Sequence, residues 1–297
     1  MSKMPARKKI AIVGASGNAG STLLRLLLEA NQVEVALVTS ASLSGEPISE
    51  HFPDIVSPLR FSPLETAPLN QMDLVFVALP HGMAKPVVAE VRTKVIDLSA
   101  DHRLSAVYGL PELFSEQVKE ARLVANPGCY ATACLLSAYP IRDMVERVVF
   151  TGISGYSGGG KQAKQKYDYD NNIVAYALTD HFHKAEITHH LGMPVTFTPH
   201  VVDIERGLLV TAHLFLRTAI VRAEILSRYA AFYKNTRTQV VSHIPSAREA
   251  VNSEYCLLGG FELDERNGLT VVAAIDNLMK GAASQAQENM QLMLGLK

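Results

Sequence analysis

Ile10-Ala11-Ile12-Val13-Gly14-Ala15-Ser16-Gly17-Asn18-Ala19-Gly20 is the stretch that decides how this chain folds. Its first four residues are apolar and mostly β-branched, which predicts a short buried strand. Glycines then force a tight turn. Beyond it Ala19, Leu23, Leu26, Leu27 and Ala30 recur at helical spacing and form one apolar stripe for a sheet to cover. A second β-branched run at 33–38 completes a βαβ unit. Further runs at 74–79 and 95–98 predict more parallel strands, so residues 1–127 read as a Rossmann-like doubly wound α/β sheet.

From about residue 148 the rhythm changes to longer strands, at 148–153, 195–198, 208–216 and 269–275. Leu208, Val210, Ala212, Leu214 and Leu216 alternate with Thr211, His213 and Arg217, the mark of a half-buried strand in an antiparallel or mixed sheet. Leu226, Tyr229, Ala230 and Tyr233 predict a helix, and Leu278, Ala282, Ala286, Met290 and Met293 predict a second that closes the chain. An α+β mixed-sheet domain over 128–275 is therefore expected after the first.

Composition excludes several classes. The 297 residues carry 28 Lys plus Arg against 29 Asp plus Glu, a net charge of -1, which leaves no electrostatic footprint for nucleic acid or an anionic membrane. With 48% apolar and 19% charged residues the chain can bury a core. No run approaches the roughly 18 apolar residues of a membrane span. Lys3, Arg7, Lys8 and Lys9 precede an apolar stretch too short for a signal peptide. Three cysteines are too few for a disulfide framework, so a reduced cytoplasmic protein with at least one free thiol is expected.

The turn itself has the spacing G-x-x-G-x-x-G. Between a strand and a helix it lets backbone N–H groups approach a pyrophosphate at the positive end of the helix dipole. Gly14, Ser16, Gly17, Asn18, Ala19 and Gly20 are the candidate contacts to a dinucleotide; a tight structural turn is the plainer alternative. At residues 38–42, where the second strand ends, no acidic side chain is present to bind a ribose 2'-hydroxyl. Ser40 and its hydroxyl neighbours can donate to a 2'-phosphate instead, which favours NADP(H).

Val124-Ala125-Asn126-Pro127-Gly128-Cys129-Tyr130-Ala131-Thr132-Ala133 carries the second signal. An extended run turns at Pro127-Gly128 and a helix starts at or just after Cys129. A thiol there has its thiolate stabilised by the helix dipole and free N–H groups, and becomes a nucleophile near neutral pH. Cys134 and Cys256, in apolar surroundings, read as core residues. A nucleophilic thiol needs an acid/base partner, and Asp180-His181-Phe182-His183-Lys184-Ala185-Glu186 offers His181 and His183, with Glu186 able to orient one imidazole. His189 and His190 lie close by, but H-x-H and H-H are not a metalloprotease spacing and no thiolate is near in sequence, so no metal is expected. Gly158 in the glycine-rich 154–161 segment allows close backbone approach to a ligand. Arg103 and Arg206, with Lys161, are the candidates for a substrate carboxylate or phosphate, Glu186 is a further candidate substrate contact, and surface ion pairs are the plainer reading of either arginine.

Taken together, these segments resemble the N-acetyl-gamma-glutamyl-phosphate reductases of arginine biosynthesis. The likeness runs nearly end to end, through Leu79-Pro80-His81-Gly82, Asp97 to Arg103, Tyr108-Gly109-Leu110-Pro111-Glu112, Asn126 to Tyr130, Phe197-Thr198-Pro199-His200 and Asp276-Asn277-Leu278-Met279-Lys280-Gly281-Ala282. Aspartate-semialdehyde and glyceraldehyde-phosphate dehydrogenases carry different residues around their cysteine. The resemblance implies Cys129 as nucleophile, His181 as acid/base with His183 as its rival, NADPH as reductant and an acyl phosphate as substrate. It also implies Asn277 near the nicotinamide, residues 276–297 returning to the dinucleotide domain, and a homo-oligomer, dimer or tetramer, built on the second domain. Ala185 stands where the family's histidine motif has proline. A carrier-linked aminoadipyl-phosphate reductase of lysine biosynthesis and a catalytically silent NADP sensor remain the alternatives.

Overall fold

The structure, a computed structural model, describes residues 7–159 and 169–296. It divides into two compact units, one of Met1–Asn126 and Ala283–Lys297, the other of Pro127–Ala282.

In the first unit β1 (Lys9–Val13), α1 (Asn18–Ala30), β2 (Glu34–Thr39), α2 (Ile48–His51), β3 (Phe61–Ser62), α3 (Thr66–Leu69), β4 (Leu74–Val77), α4 (Ala84–Glu90), β5 (Lys94–Asp97), β6 (Val107–Tyr108), α5 (Pro111–Glu120) and β7 (Leu123–Ala125) follow one another. The strands lie in the order β3-β2-β1-β4-β5-β7-β6, and the pairings between them are parallel. Both faces are covered, so β1 is apolar without alternation. Ile10 and Ile12 join Leu23 and Leu27 of α1 in one buried cluster, while Ala11 and Val13 join Val87 and Val88 of α4 in another. Strand order reverses beside β1, which places the Gly14 turn at the switch point where open sheets bind ligands.

The second unit holds α6 (Cys129–Ala138), β8 (Val145–Gly155), β9 (Ile173–Ala175), α7 (Phe182–Leu191), β10 (Val195–Val202), β11 (Leu208–Leu216), α8 (Arg222–Phe232), β12 (Thr238–Val240), β13 (Cys256–Leu263) and β14 (Gly268–Ile275). Its sheet runs β12-β13-β14-β11-β8-β10-β9. The pairs β10–β8 and β12–β13 are parallel, and the other pairs are antiparallel, so the sheet is mixed. Helix α6 packs against β11 and β14, with Tyr130 through Ala138 all buried. On the face of β8 and β11 turned away from the buried Phe150 and Val210, Val149 and Ile153 of β8 and Leu209 and Phe215 of β11 are half-buried.

The chain's end departs from the single closing helix expected over 278–293. It makes a π-helical turn at Met279–Ala283 and then α9 (Ser284–Leu294), whose Ala286, Met290 and Met293 enter the Ile10 cluster. The return to the first unit falls at Ala283 rather than at residue 276. Asp276 is the reason, because its carboxylate accepts from the N–H groups of Leu278, Met279 and Asn252 and keeps the intervening turn in the second unit. Among the described residues no helix is long and apolar enough to cross a membrane.

Candidate active site

Helix α6 begins at Cys129 itself. Its N-cap, Gly128, has an extended backbone (φ -73°, ψ 148°) and no side chain to satisfy the helix's free donors. A carboxylate from another helix supplies one acceptor, as Glu186 Oε1 of α7 takes the Gly128 N–H at 2.9 Å. At the opposite side of Gly128 its carbonyl accepts from the Thr132 N–H at 2.8 Å and from the Thr132 hydroxyl at 3.1 Å. Cys129 is half-buried, whereas Cys134 and Cys256 are fully buried. Burial, and then the nearness of Cys129 and Glu186, push the Cys134 thiol well above its ordinary range. It stays protonated and inert.

His181 caps α7 in the same unit. Its Nδ1 accepts the His183 N–H at 3.2 Å, and because a backbone amide can only donate, the neutral ring carries its proton on Nε2. The Tyr176 hydroxyl lies 3.4 Å from that nitrogen. His181 and His183 are 7% and 4% exposed, so both act in a nearly dry environment. Tyr130, the residue after the thiol, sets its ring 6.0 Å from each imidazole and 5.2 Å from Phe197. Its hydroxyl donates to the His200 carbonyl at 2.6 Å. Burial, then Tyr176 and Cys129, push this phenol well above its ordinary value, which leaves it a neutral packing group. Glu186 lies one turn beyond His183 on the same buried face of α7.

The turn after β14 forms a third wall. A Cβ placed on Gly281 would lie 2.7 Å from Cys129 Cβ. Asn277, 2% exposed, accepts from the Gly207 N–H at 2.8 Å and donates to Ser157 Oγ at 2.9 Å. Gly158 packs beside it, where a Cβ would lie 3.2 Å from the Asn277 amide nitrogen. Arg206, the expected contact to a substrate anion, has protein partners as well. Its terminal nitrogens donate to Asn252 Oδ1 at 2.8 Å and to the buried Asp276 carboxylate at 3.1 Å, a protein ion pair. Lys161 lies outside the described residues. Among those described, no three His, Cys, Asp or Glu side chains gather as a metal site.

In the first unit the glycine turn has the shape the spacing predicts. Gly14 sits at φ +81°, and a Cβ there would lie 2.4 Å from the Ala78 carbonyl; at Gly20 it would lie 2.3 Å from the Gly14 carbonyl. These two glycines let strand and helix close up. Gly17, the N-cap of α1, meets only the Gly14 carbonyl, at 3.6 Å, so its surface is open to a ligand. No acidic residue stands in the first turn of α1. Ser16 and Ser40 hydroxyls meet at 2.8 Å beyond the end of β2, and Asn18 and Ala19 open the helix. The cradle fits a pyrophosphate, and the hydroxyl pair fits a further phosphate.

Arg103, also read as a substrate contact, is buried and donates to the Asn126 and Leu98 carbonyls at 3.0 and 3.2 Å. Nearby, Asp97 is fully buried and holds Ser99 through two bonds and His102 Nδ1 at 2.6 Å. Sequence reading missed this carboxylate–imidazole pair, as it missed Tyr176, Asp276 and Gly281. None of these has a local pattern that announces its partner.

Family models match both units. Residues 9–121 match "Semialdehyde dehydrogenase, NAD binding domain", and residues 129–277 match "Semialdehyde dehydrogenase, dimerisation domain". The chain is 38% identical to the N-acetyl-gamma-glutamyl-phosphate reductase of Methanococcus vannielii, 38% to that of Xanthomonas euvesicatoria pv. vesicatoria and 39% to that of Methanosarcina acetivorans. Each of these matches covers 97% of this chain and 96% of the relative. Among solved structures, Vibrio cholerae aspartate semialdehyde dehydrogenase II complexed with ASA shares the fold at a TM-score of 0.79 and 18% identity, over 97% of this chain and 98% of that one. The Candida albicans aspartate semialdehyde dehydrogenase with NADP does so at 0.79 and 14%, over 97% and 99%.

Proposed function

The chain belongs to the N-acetyl-gamma-glutamyl-phosphate reductase family, and on that premise we propose that it reduces N-acetyl-gamma-glutamyl phosphate to N-acetylglutamate semialdehyde with NADPH, releasing phosphate. The observation that carries this reading is a half-buried thiol on the first residue of α6, with His181, His183 and Glu186 brought to that helix by α7.

Cys129 Sγ, as thiolate, attacks the acyl carbon. The bond from that carbon to the phosphate oxygen breaks, inorganic phosphate leaves, and a thioester remains on Cys129, which splits one hard step into two. When bound, NADPH supplies the hydride. Gly14, Ser16, Gly17, Asn18, Ala19, Gly20, Ser40, Gly158 and Asn277 are the residues proposed to hold it. Once the acyl carbon is reduced, the bond to Sγ breaks as the aldehyde carbonyl forms, and the thiolate is restored. His181, with its proton held on Nε2 by the bond at Nδ1, is assigned to give that proton to the acyl oxygen as the carbon is reduced and to take it back as the aldehyde carbonyl forms, and His183 is the alternative for that role. Arg206, which also pairs with Asp276, stays as a proposed contact to the substrate's anionic groups. Arg103 and Lys161 stay as proposed contacts to the substrate's anionic groups.

A second copy of the chain is the proposed cover for the half-buried face formed by Val149, Ile153, Leu209 and Phe215. Ile153 pairs directly with Leu209 across β8 and β11. Light scattering should give the mass of a dimer or tetramer, and Ile153→Glu should lower it.

The test of the activity is phosphate-dependent reduction of NADP by N-acetylglutamate semialdehyde, the reverse direction, followed at the absorbance of the reduced nicotinamide. Turnover supports the proposal. Reduction confined to a carrier-linked aminoadipyl substrate, or none with NADP bound, overturns it.

A further inference from the structure

We propose that the turn Asp276–Gly281 is a backstop that positions Cys129, and that Gly281 is a positioning residue of the reaction. The inference rests on Cys129 being the nucleophile.

Three observations carry it. First, the backbone of Gly281 lies against the nucleophile itself, since a Cβ there would sit 2.7 Å from Cys129 Cβ and 3.3 Å from its Cα. Carbon atoms in ordinary contact stand about 3.5–4.0 Å apart, so an added methyl lacks about 1 Å of room. Second, the close approach has a structural cause. The Gly281 N–H reaches back five residues to the Asp276 carbonyl at 2.9 Å, the bond of a π turn, and such turns within helices concentrate at functional sites.

Third, neither side of the contact is free to retreat. Asp276 is fully buried and accepts from Leu278 N–H at 2.8 Å, Met279 N–H at 3.0 Å, Asn252 N–H at 2.7 Å and Arg206 at 3.1 Å. Asn277 ties the same turn to Gly207 and Ser157, and Lys280 is fully buried within it. Opposite, the Glu186 carboxylate holds the Gly128 N–H. The Cα–Cβ bond of Cys129 is thereby clamped between two anchored walls, and only rotation about that bond moves the sulfur.

A misplacement of about 1 Å at a reacting atom can cost 10²-fold in rate. Gly281→Ala is therefore expected to lower kcat by about 10²-fold, with NADPH binding and KM near wild type. The rate at which iodoacetamide alkylates Cys129 should change across its pH profile. Asp276→Asn, which loses the charge paired with Arg206 and an acceptor for Asn252, is expected to lower kcat by about tenfold. Cys129→Ser separates the two claims: if it retains turnover, the nucleophile assignment fails. If it is inactive, a folded Gly281→Ala protein with wild-type kcat and wild-type alkylation overturns the backstop. A variant that merely melts earlier, with kcat per folded enzyme and the thiol pH profile unmoved, overturns it equally. Should Gly281→Ala not fold, wild-type kcat in folded Asp276→Asn overturns it.

Discussion

Helices α1 and α6 both begin just after a strand and a glycine, yet they begin in opposite ways. At α1 the N-cap Gly17 N–H goes to the Gly14 carbonyl of its own turn at 3.2 Å, no side chain caps the helix and the first turn holds no acid, so the positive end of the helix suits an anionic ligand. At α6 the Gly128 N–H is taken by Glu186, and the first helical residue is a thiol. A donor spent on its own turn leaves the helix end to local geometry, whereas one spent on a carboxylate 58 residues away ties the end to another element. The same local pattern therefore suits the proposed cradle or the proposed nucleophile according to what a distant element places against it.

The largest expected effect breaks the comparison at its chemical end. Cys129→Ser should reduce turnover by at least about 10³-fold, as loss of a nucleophile does elsewhere, while NADPH binding, read by fluorescence, stays intact; undiminished turnover would sink the mechanism. Glu186→Ala strips the cap from α6 and should destabilise the protein by about 1.5–3 kcal/mol in urea unfolding, because a buried N–H loses a charged acceptor. A change within error would show that Gly128 finds water instead.

At the other helix the two glycines should separate. Gly20→Ala must push against the Gly14 carbonyl and should lose about 1–3 kcal/mol of stability. Gly17→Ala should melt normally but weaken NADPH binding by about tenfold, about 1.4 kcal/mol, as a methyl enters the space a phosphate needs. Equal stability losses in both variants would mean that the turn is structural only.

A third helix start sharpens the comparison by the smallest margin. Asp101 caps α4 through the N–H groups of Gly82, Ala84 and Lys85. Burial raises its carboxyl pKa, but those three bonds outweigh burial and hold it below the ordinary value. Its stabilisation is present above the unfolded carboxyl's pKa and is lost as pH falls through the lower folded one. Asp101→Asn should therefore lower Tm at neutral pH, with the gap to wild type narrowing below about pH 4; a gap independent of pH would show that charge plays no part.

Much of this was legible along the chain. Residues 10–20 sufficed for the first strand, turn and helix, and the Pro-Gly before Cys129 marked where α6 would start. The closing helix was misread because apolar residues at 278 and 282 kept the helical period, while Asp276 bends the backbone there with a side chain that periodicity does not weigh. The Arg206–Asp276 pair was not legible, because an arginine before glycine shows no partner in sequence and the carboxylate is 70 residues away.

The sequence by itself determined the two sheet types, the tight glycine turn before α1 and the placing of Cys129 at a helix start, because each is set by neighbours within a turn or two, where steric and dipolar rules act. Only the tertiary structure decided the tautomer of His181, the capping of α6 by Glu186 and the pressing of Gly281 against Cys129. Those contacts join residues far apart in the chain, and packing alone chooses which of many chemically suitable side chains arrives.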